Sequence, residues 1–98
     1  MTEQLHCADF AAHVGSVFAI HYGADAALEV YLVGAAELRA PTPGGHAFQL
    51  IFQSDRQAYL PQGSYLVRHA ALGDQQIFIV PIGPNEQGMR YEAIFSYL

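Results

Sequence analysis

The run Gln75-Gln76-Ile77-Phe78-Ile79-Val80-Pro81-Ile82-Gly83 is apolar at both strand parities. Successive side chains of a strand point to opposite faces, so a strand here sets Ile77 and Ile79 on one side and Phe78, Val80 and Ile82 on the other. Neither face suits water. One can belong to a core, and the other needs a helix or a second chain as cover. Pro81 cannot donate to a β ladder, which predicts a sheet edge or a strand end here rather than a mid-sheet position.

The rest of the chain predicts a mainly β fold. Only the first segment has helical character. Thr2 can cap a short helix over about residues 3–14, with Leu5, Ala8 and Ala12 recurring on one side and Gly15 available as a stop. From Val17 the period becomes two. Phe18, Ile20 and Tyr22 alternate with Ala19 and His21, and Gly23-Ala24-Asp25 turns the chain. Leu28, Val30 and Leu32 alternate with Glu29 and Tyr31, and Gly34 interrupts this second strand as a bulge or bend does. After the loop Pro41-Thr42-Pro43-Gly44-Gly45, Phe48, Leu50 and Phe52 alternate with Gln49 and Gln53. The loop from Asp55 to Gly63 carries Tyr59 and Leu60 and is expected to pack down. Tyr65 and Val67 precede the turn Gly73-Asp74 and the doubly apolar run, and Tyr91, Ala93, Phe95 and Tyr97 alternate with Glu92 and Ser96. These signals predict one domain over residues 1–98. In it about six antiparallel strands form a meander, rolled into a small barrel or sandwich over about residues 16–98, behind the short helix. The helix is the natural cover for part of the fifth strand.

Composition narrows the function classes. Hydrophobic residues are 52% and charged residues 13% of the 98, far from the signature of disorder. All four cations are arginine (Arg39, Arg56, Arg68, Arg90), and the chain has no lysine. That excludes a Schiff-base lysine and a phosphate-loop lysine, and it removes the residue most used to guard sheet edges. With nine acids and a net charge of −5, no basic stripe supports a grip on nucleic acid or on an anionic membrane. Cys7 is the single cysteine, so no internal disulfide forms. The N-terminal segment has neither a positive n-region nor a long apolar run, which predicts a cytoplasmic product without a cleaved signal, with export as part of an assembly left open.

The search for chemistry returns mainly negatives. His6, His13, His21, His46 and His69 show no metal-ligand spacing, and Cys7 has no second thiol, so no metal and no cofactor is expected. A Cys7–His13 nucleophile pair is out of helical register. Glu29 and Glu37 share strand parity but lie too far apart for glycosidase chemistry. Gly44-Gly45 and Gly63 precede no helical pattern, so they are turn glycines rather than a phosphate loop. No catalytic residue is assigned. Six tyrosines and six phenylalanines fill a core by default, while outward tyrosines such as Tyr31 suit protein contacts.

The segments Phe10-Ala11-Ala12-His13-Val14-Gly15-Ser16-Val17-Phe18, Phe48-Gln49-Leu50-Ile51-Phe52, Leu60-Pro61-Gln62-Gly63-Ser64-Tyr65 and Leu72-Gly73, with Ile77 to Gly83 and Tyr91-Glu92-Ala93-Ile94-Phe95, together resemble a family of small bacterial proteins of unknown function. The resemblance spans nearly the whole chain. Members of that family are often encoded beside phage tail-collar-type proteins, which implies a role in a tail-like or filamentous assembly, and the resemblance offers no established activity or catalytic residues to carry over.

Two readings follow. The first is a non-catalytic assembly module that self-associates or docks on a partner such as a tail-collar-type protein, with Phe78, Val80, Ile82, Tyr31, Tyr91 and Tyr97 as contact residues. The second is a small barrel that binds a ligand or performs acid-base chemistry through His21 and His69, with Arg68 beside them at a barrel mouth.

Overall fold

A computed structural model describes residues 5–55 and 59–97. Six strands, β1 (Val17–Gly23), β2 (Ala26–Leu38), β3 (His46–Gln53), β4 (Gly63–His69), β5 (Gly73–Asn85) and β6 (Gly88–Tyr97), follow one helix, α1 (Cys7–Ala11). They close into a barrel in the order β1-β2-β3-β6-β5-β4, with every neighbouring pair antiparallel. The order refines the expected meander into two meanders of three strands, joined edge to edge by β3–β6 and β4–β1 pairing.

The two long strands make the corners. β2 pairs with β1 as far as Tyr31 and with β3 from Tyr31 onward, and β5 pairs with β4 up to Ile79 and with β6 from Val80 onward. Each switch of partner sits at a bulge, where the register shifts between Leu32 and Gly34 and between Pro81 and Gly83. A bulge sets two residues against one and bends the strand, which is how a sheet turns a corner. Gly34 therefore marks the bend its place in the pattern predicts. Pro81 lies within β5, at a stretch that is locally an edge of the barrel wall, as its missing donor predicts. It is tolerated because β4 has ended at Gly63 opposite Ile79, so one side of β5 carries no ladder there.

The inward positions fill the barrel. Phe18, Ile20, Val30, Leu32, Phe48, Leu50, Phe52, Val67, Ile79 and Tyr91 are all buried in one core cluster. Its upper end is closed by α1, which packs on β2 and β3 and lowers Phe10 among Phe18, Phe48 and Phe95. At the lower end Leu60, from the described part of the β3–β4 connection, packs into the core, while Tyr59 stays exposed.

The helix differs from its expectation in three ways. It is five residues long, opening at His6, whose backbone N–H donates to the Asp9 carboxylate at 2.7 Å. The expected cap Thr2 lies outside the described residues. It buries Cys7 and Phe10 while Ala8 and Ala12 face solvent, because a phenylalanine gains far more from burial than an alanine. It also covers the barrel end instead of β5, so the outer face of β5 stays bare.

Gly83 has φ +113°, in a region that side chains disfavour, and open space surrounds the position of an added Cβ. Gly83→Ala is therefore expected to cost about 1–3 kcal/mol through backbone strain alone, read as a lower urea midpoint.

Candidate functional site

Paired residues of a sheet share a face, so the register assigns the outer surface row by row. Across β2, β3, β6 and β5 one outward row is Gly34, Ile51, Glu92 and Val80, and the next is Ala36, Gln49 and Ile94. Continuing the β5–β6 register beyond Val80 sets Phe78 beside Ile94, although the two strands have parted there and hold no ladder. Phe78 is 53% and Ile94 52% exposed, Val33 at the β2 bulge is equally open, and Ile51 and Val80 are half-buried. The one carboxylate inside these rows, Glu92, accepts a hydrogen bond from Gln49 Nε2 at 2.7 Å.

On the other half of the barrel, the outward positions of β1, β4 and the paired parts of β2 and β5 include His21, Glu29, Arg68, Asp74 and Gln76, and Arg68 pairs with Asp74 at 3.2 Å on the surface. Both halves are mixed: Val17 and Tyr31 are exposed on this one, while Arg90 and Ser96 stand outward on the other, whose centre, formed by Ile51, Val80 and Ile94, is the more apolar stretch. Among the sequence candidates, Phe78, Val80 and Ile82 sit on or beside this apolar stretch. Ile51 and Ile94 were missed, because the flanking Gln49, Gln53, Glu92 and Ser96 mark those strands as half-buried. The signal was present: each is an isoleucine at the polar parity.

The three tyrosines separate. Tyr31 is exposed and, with Val33, Gln53, Asp55 and Gln87, lines a surface groove of about 480 Å³; with Ala27, Glu29 and Asp55 it also lines a cleft of about 260 Å³. Tyr97 is half-buried at the upper end, edge-on to His6 and stacked on His46, and its hydroxyl bonds His6 Nδ1. Tyr91 corrects the expectation outright. It is fully buried, and its phenol oxygen accepts the Leu60 N–H at 3.0 Å, so it belongs to the core and no contact surface. Burial pushes its phenol above the ordinary value.

The structure does not bring His21, His69 and Arg68 together. His21 faces outward opposite Leu66, Arg68 faces outward to Asp74, and His69 points into the barrel end against Phe18. His69 Nε2 does lie 2.8 Å from Ser16 Oγ, the separation of a nucleophile and its base. Its other nitrogen, Nδ1, accepts the N–H groups of Ala71 at 3.0 Å and Leu72 at 3.1 Å. Two donors on Nδ1 assign the proton of the neutral ring to Nε2, which then donates to Ser16. Ser16 in turn donates to the His13 carbonyl at 2.6 Å. This polarity is opposite to what activation of the serine needs. Neither surface cleft includes His21, His69 or Arg68. Among the described residues, no group of three metal-ligating side chains could hold an ion. Burial and the nearby Glu37 raise the Cys7 thiol, leaving it poorly nucleophilic.

Tyr91→Phe removes the acceptor of a buried backbone N–H and is expected to destabilise the fold by about 1–3 kcal/mol. Urea unfolding with an unchanged m-value checks it.

No helix among the described residues is long and apolar enough to cross a membrane. No curated protein and no solved structure matches the chain. A family model does match, over residues 5–95. The match takes in both corners, both plugs and the apolar outer stretch, and by it the chain belongs to the family described as domain of unknown function DUF6916.

Proposed function

We propose that this protein is a non-catalytic assembly module that self-associates, or docks on a protein partner, through the apolar stretch of its outer wall. The observation that carries the reading is the outward apolar set on β2, β3, β5 and β6, with Phe78 and Ile94 each more than half exposed. Ile51, Val80, Ile94, Phe78 and Val33 share an outer face, and the one carboxylate in its central rows, Glu92, is hydrogen-bonded by Gln49. Contiguous exposed apolar surface of this kind marks contact sites, because burying it against a partner releases water at about 25 cal/mol per Å².

The charge pattern supports the same face. A chain of net charge −5 repels its own copies, and a contact made where charges are scarce minimises that repulsion. The absence of lysine leaves the seam between β5 and β6 without the residue that ordinarily discourages added contacts. The resemblance to proteins encoded beside tail-collar-type proteins supports a tail-like or filamentous setting, with a further copy or a tail-collar-type protein as the partner. A head-to-tail contact would extend into a ring or filament, and an isologous one would close as a dimer.

Light scattering after size exclusion, over a concentration series, tests this. The wild-type chain is expected to exceed its monomer mass of 10.7 kDa as concentration rises, alone or with the tail-collar-type protein. Ile94→Asp and Phe78→Asp should hold it at that mass while the fold survives, since both side chains are more than half exposed. A strict monomer throughout, alone and with that partner, would overturn the reading.

A further inference from the structure

Two turns meet at His69. Its Nδ1 accepts the N–H groups of Ala71 and Leu72 and so holds the β4–β5 turn, and its Nε2–H donates to Ser16 Oγ at 2.8 Å. Ser16 continues the chain of bonds to the His13 carbonyl at 2.6 Å, in the segment that leads from α1 into β1. The half-buried ring packs against Phe18 at 4.3 Å and His13 at 4.7 Å between centroids. One neutral imidazole thus joins the end of β4 to the segment carrying α1, which is also bonded to β2 through Gly15 and Ser16 with Leu32, and α1 carries the Phe10 and Cys7 that close the upper end.

We propose that His69 is a pH-sensitive latch on the helical plug, holding α1 on the barrel while neutral and releasing it when a proton adds at Nδ1. A proton from water at that nitrogen turns an acceptor into a donor, facing two backbone N–H groups that have just lost their partner. The ring cannot keep this position. It must swing away, and the Ser16 bond goes with it.

The ionisable group facing His69 from the α1–β1 turn is His13, whose ring lies edge-on at 4.7 Å between centroids. Ser16 and Phe18 from the β1 side, and Ala71 and Leu72 from the β4–β5 turn, bring no charge. Arg68 and Asp74 neighbour it in sequence and register, but they face outward and pair with each other. Burial first, and His13 second, pull the His69 pKa below its ordinary value of 6.5. The unfolded chain, or a locally opened one, therefore takes the proton first. The stabilisation is complete above the ordinary imidazole value and is lost as pH falls from there through the lower folded value.

Cys7, buried and the single cysteine, reports the opening in the intact chain. Its rate of reaction with a dithiodipyridine disulfide, divided by the rate for urea-unfolded protein at the same pH, cancels the intrinsic chemistry of the thiol. In the wild type this ratio is expected to rise between pH 7 and pH 5, most steeply below the ordinary imidazole value, with one protonation of the latch giving at most about tenfold per unit. His69→Asn keeps an acceptor for the Ala71 and Leu72 N–H groups at every pH, so its ratio should stay level. A level wild-type ratio, an undiminished rise in His69→Asn, or a parallel loss of far-ultraviolet dichroism that marks global unfolding would each overturn the latch. If His69→Asn does not fold, nitrogen-15 spectra of the wild-type histidines decide. A ratio that rises with the His69 titration supports the latch, and one that rises while His69 stays neutral overturns it.

Discussion

The two longest strands, β2 and β5, of thirteen residues each, both bend. Each does so at a bulge, at Val33-Gly34 in β2 and at Ile82-Gly83 in β5, where one extra residue turns the strand. The bend gives each strand two successive partners and thereby joins two three-stranded meanders into one closed wall. It also shifts the inward parity by one, so Ala35 takes up the facing role that Leu32 held before the bend.

Closure leaves two open ends, and the chain seals them by different means. Above, five residues of helix lower Phe10 into a ring of phenylalanines. Below, an irregular connection brings in Leu60 and satisfies its buried N–H with the Tyr91 phenol. An irregular plug needs a polar partner because its backbone has no ladder to bond to, whereas a helix satisfies its own. This explains why a tyrosine, rather than another phenylalanine, stands in the core beside Leu60. The upper plug is joined to β2 by the backbone bonds of Gly15 and Ser16 with Leu32, and His69 and Tyr97 stand around its margin.

Much of this was legible in the residues. Alternation placed Phe18, Ile20, Leu28, Val30, Phe48, Leu50 and Val67 inside, and Gly34 marked a bend, because period-two patterning reports directly which face meets water. The contact face was half legible. Phe78, Val80 and Ile82 stood out as apolar on both sides of one strand, while Ile51 and Ile94 passed unnoticed as single apolar residues among glutamines, a glutamate and a serine. They became a surface when pairing set Ile51 in the row of Val80 and Ile94 in the row beside it. Tyr91 shared its parity with Ala93 and Phe95 against Glu92, the inward side, whereas Tyr31 shared its side with Glu29, so taking Tyr91 as a contact residue went against the alternation.

Local chemistry in the sequence determined the elements: a short helix, six strands and the turns that end them, all set by periodicity, glycine and proline. It also determined what the chain lacks, from lysine to a second thiol. Tertiary structure alone decided that the helix would cap the barrel end and leave β5 bare, since that choice weighs the burial of Phe10 in the core against cover for an outer strand. It likewise decided that His69 would meet Ser16 across 53 residues of chain. Such contacts depend on strand order, which residue spacing does not encode.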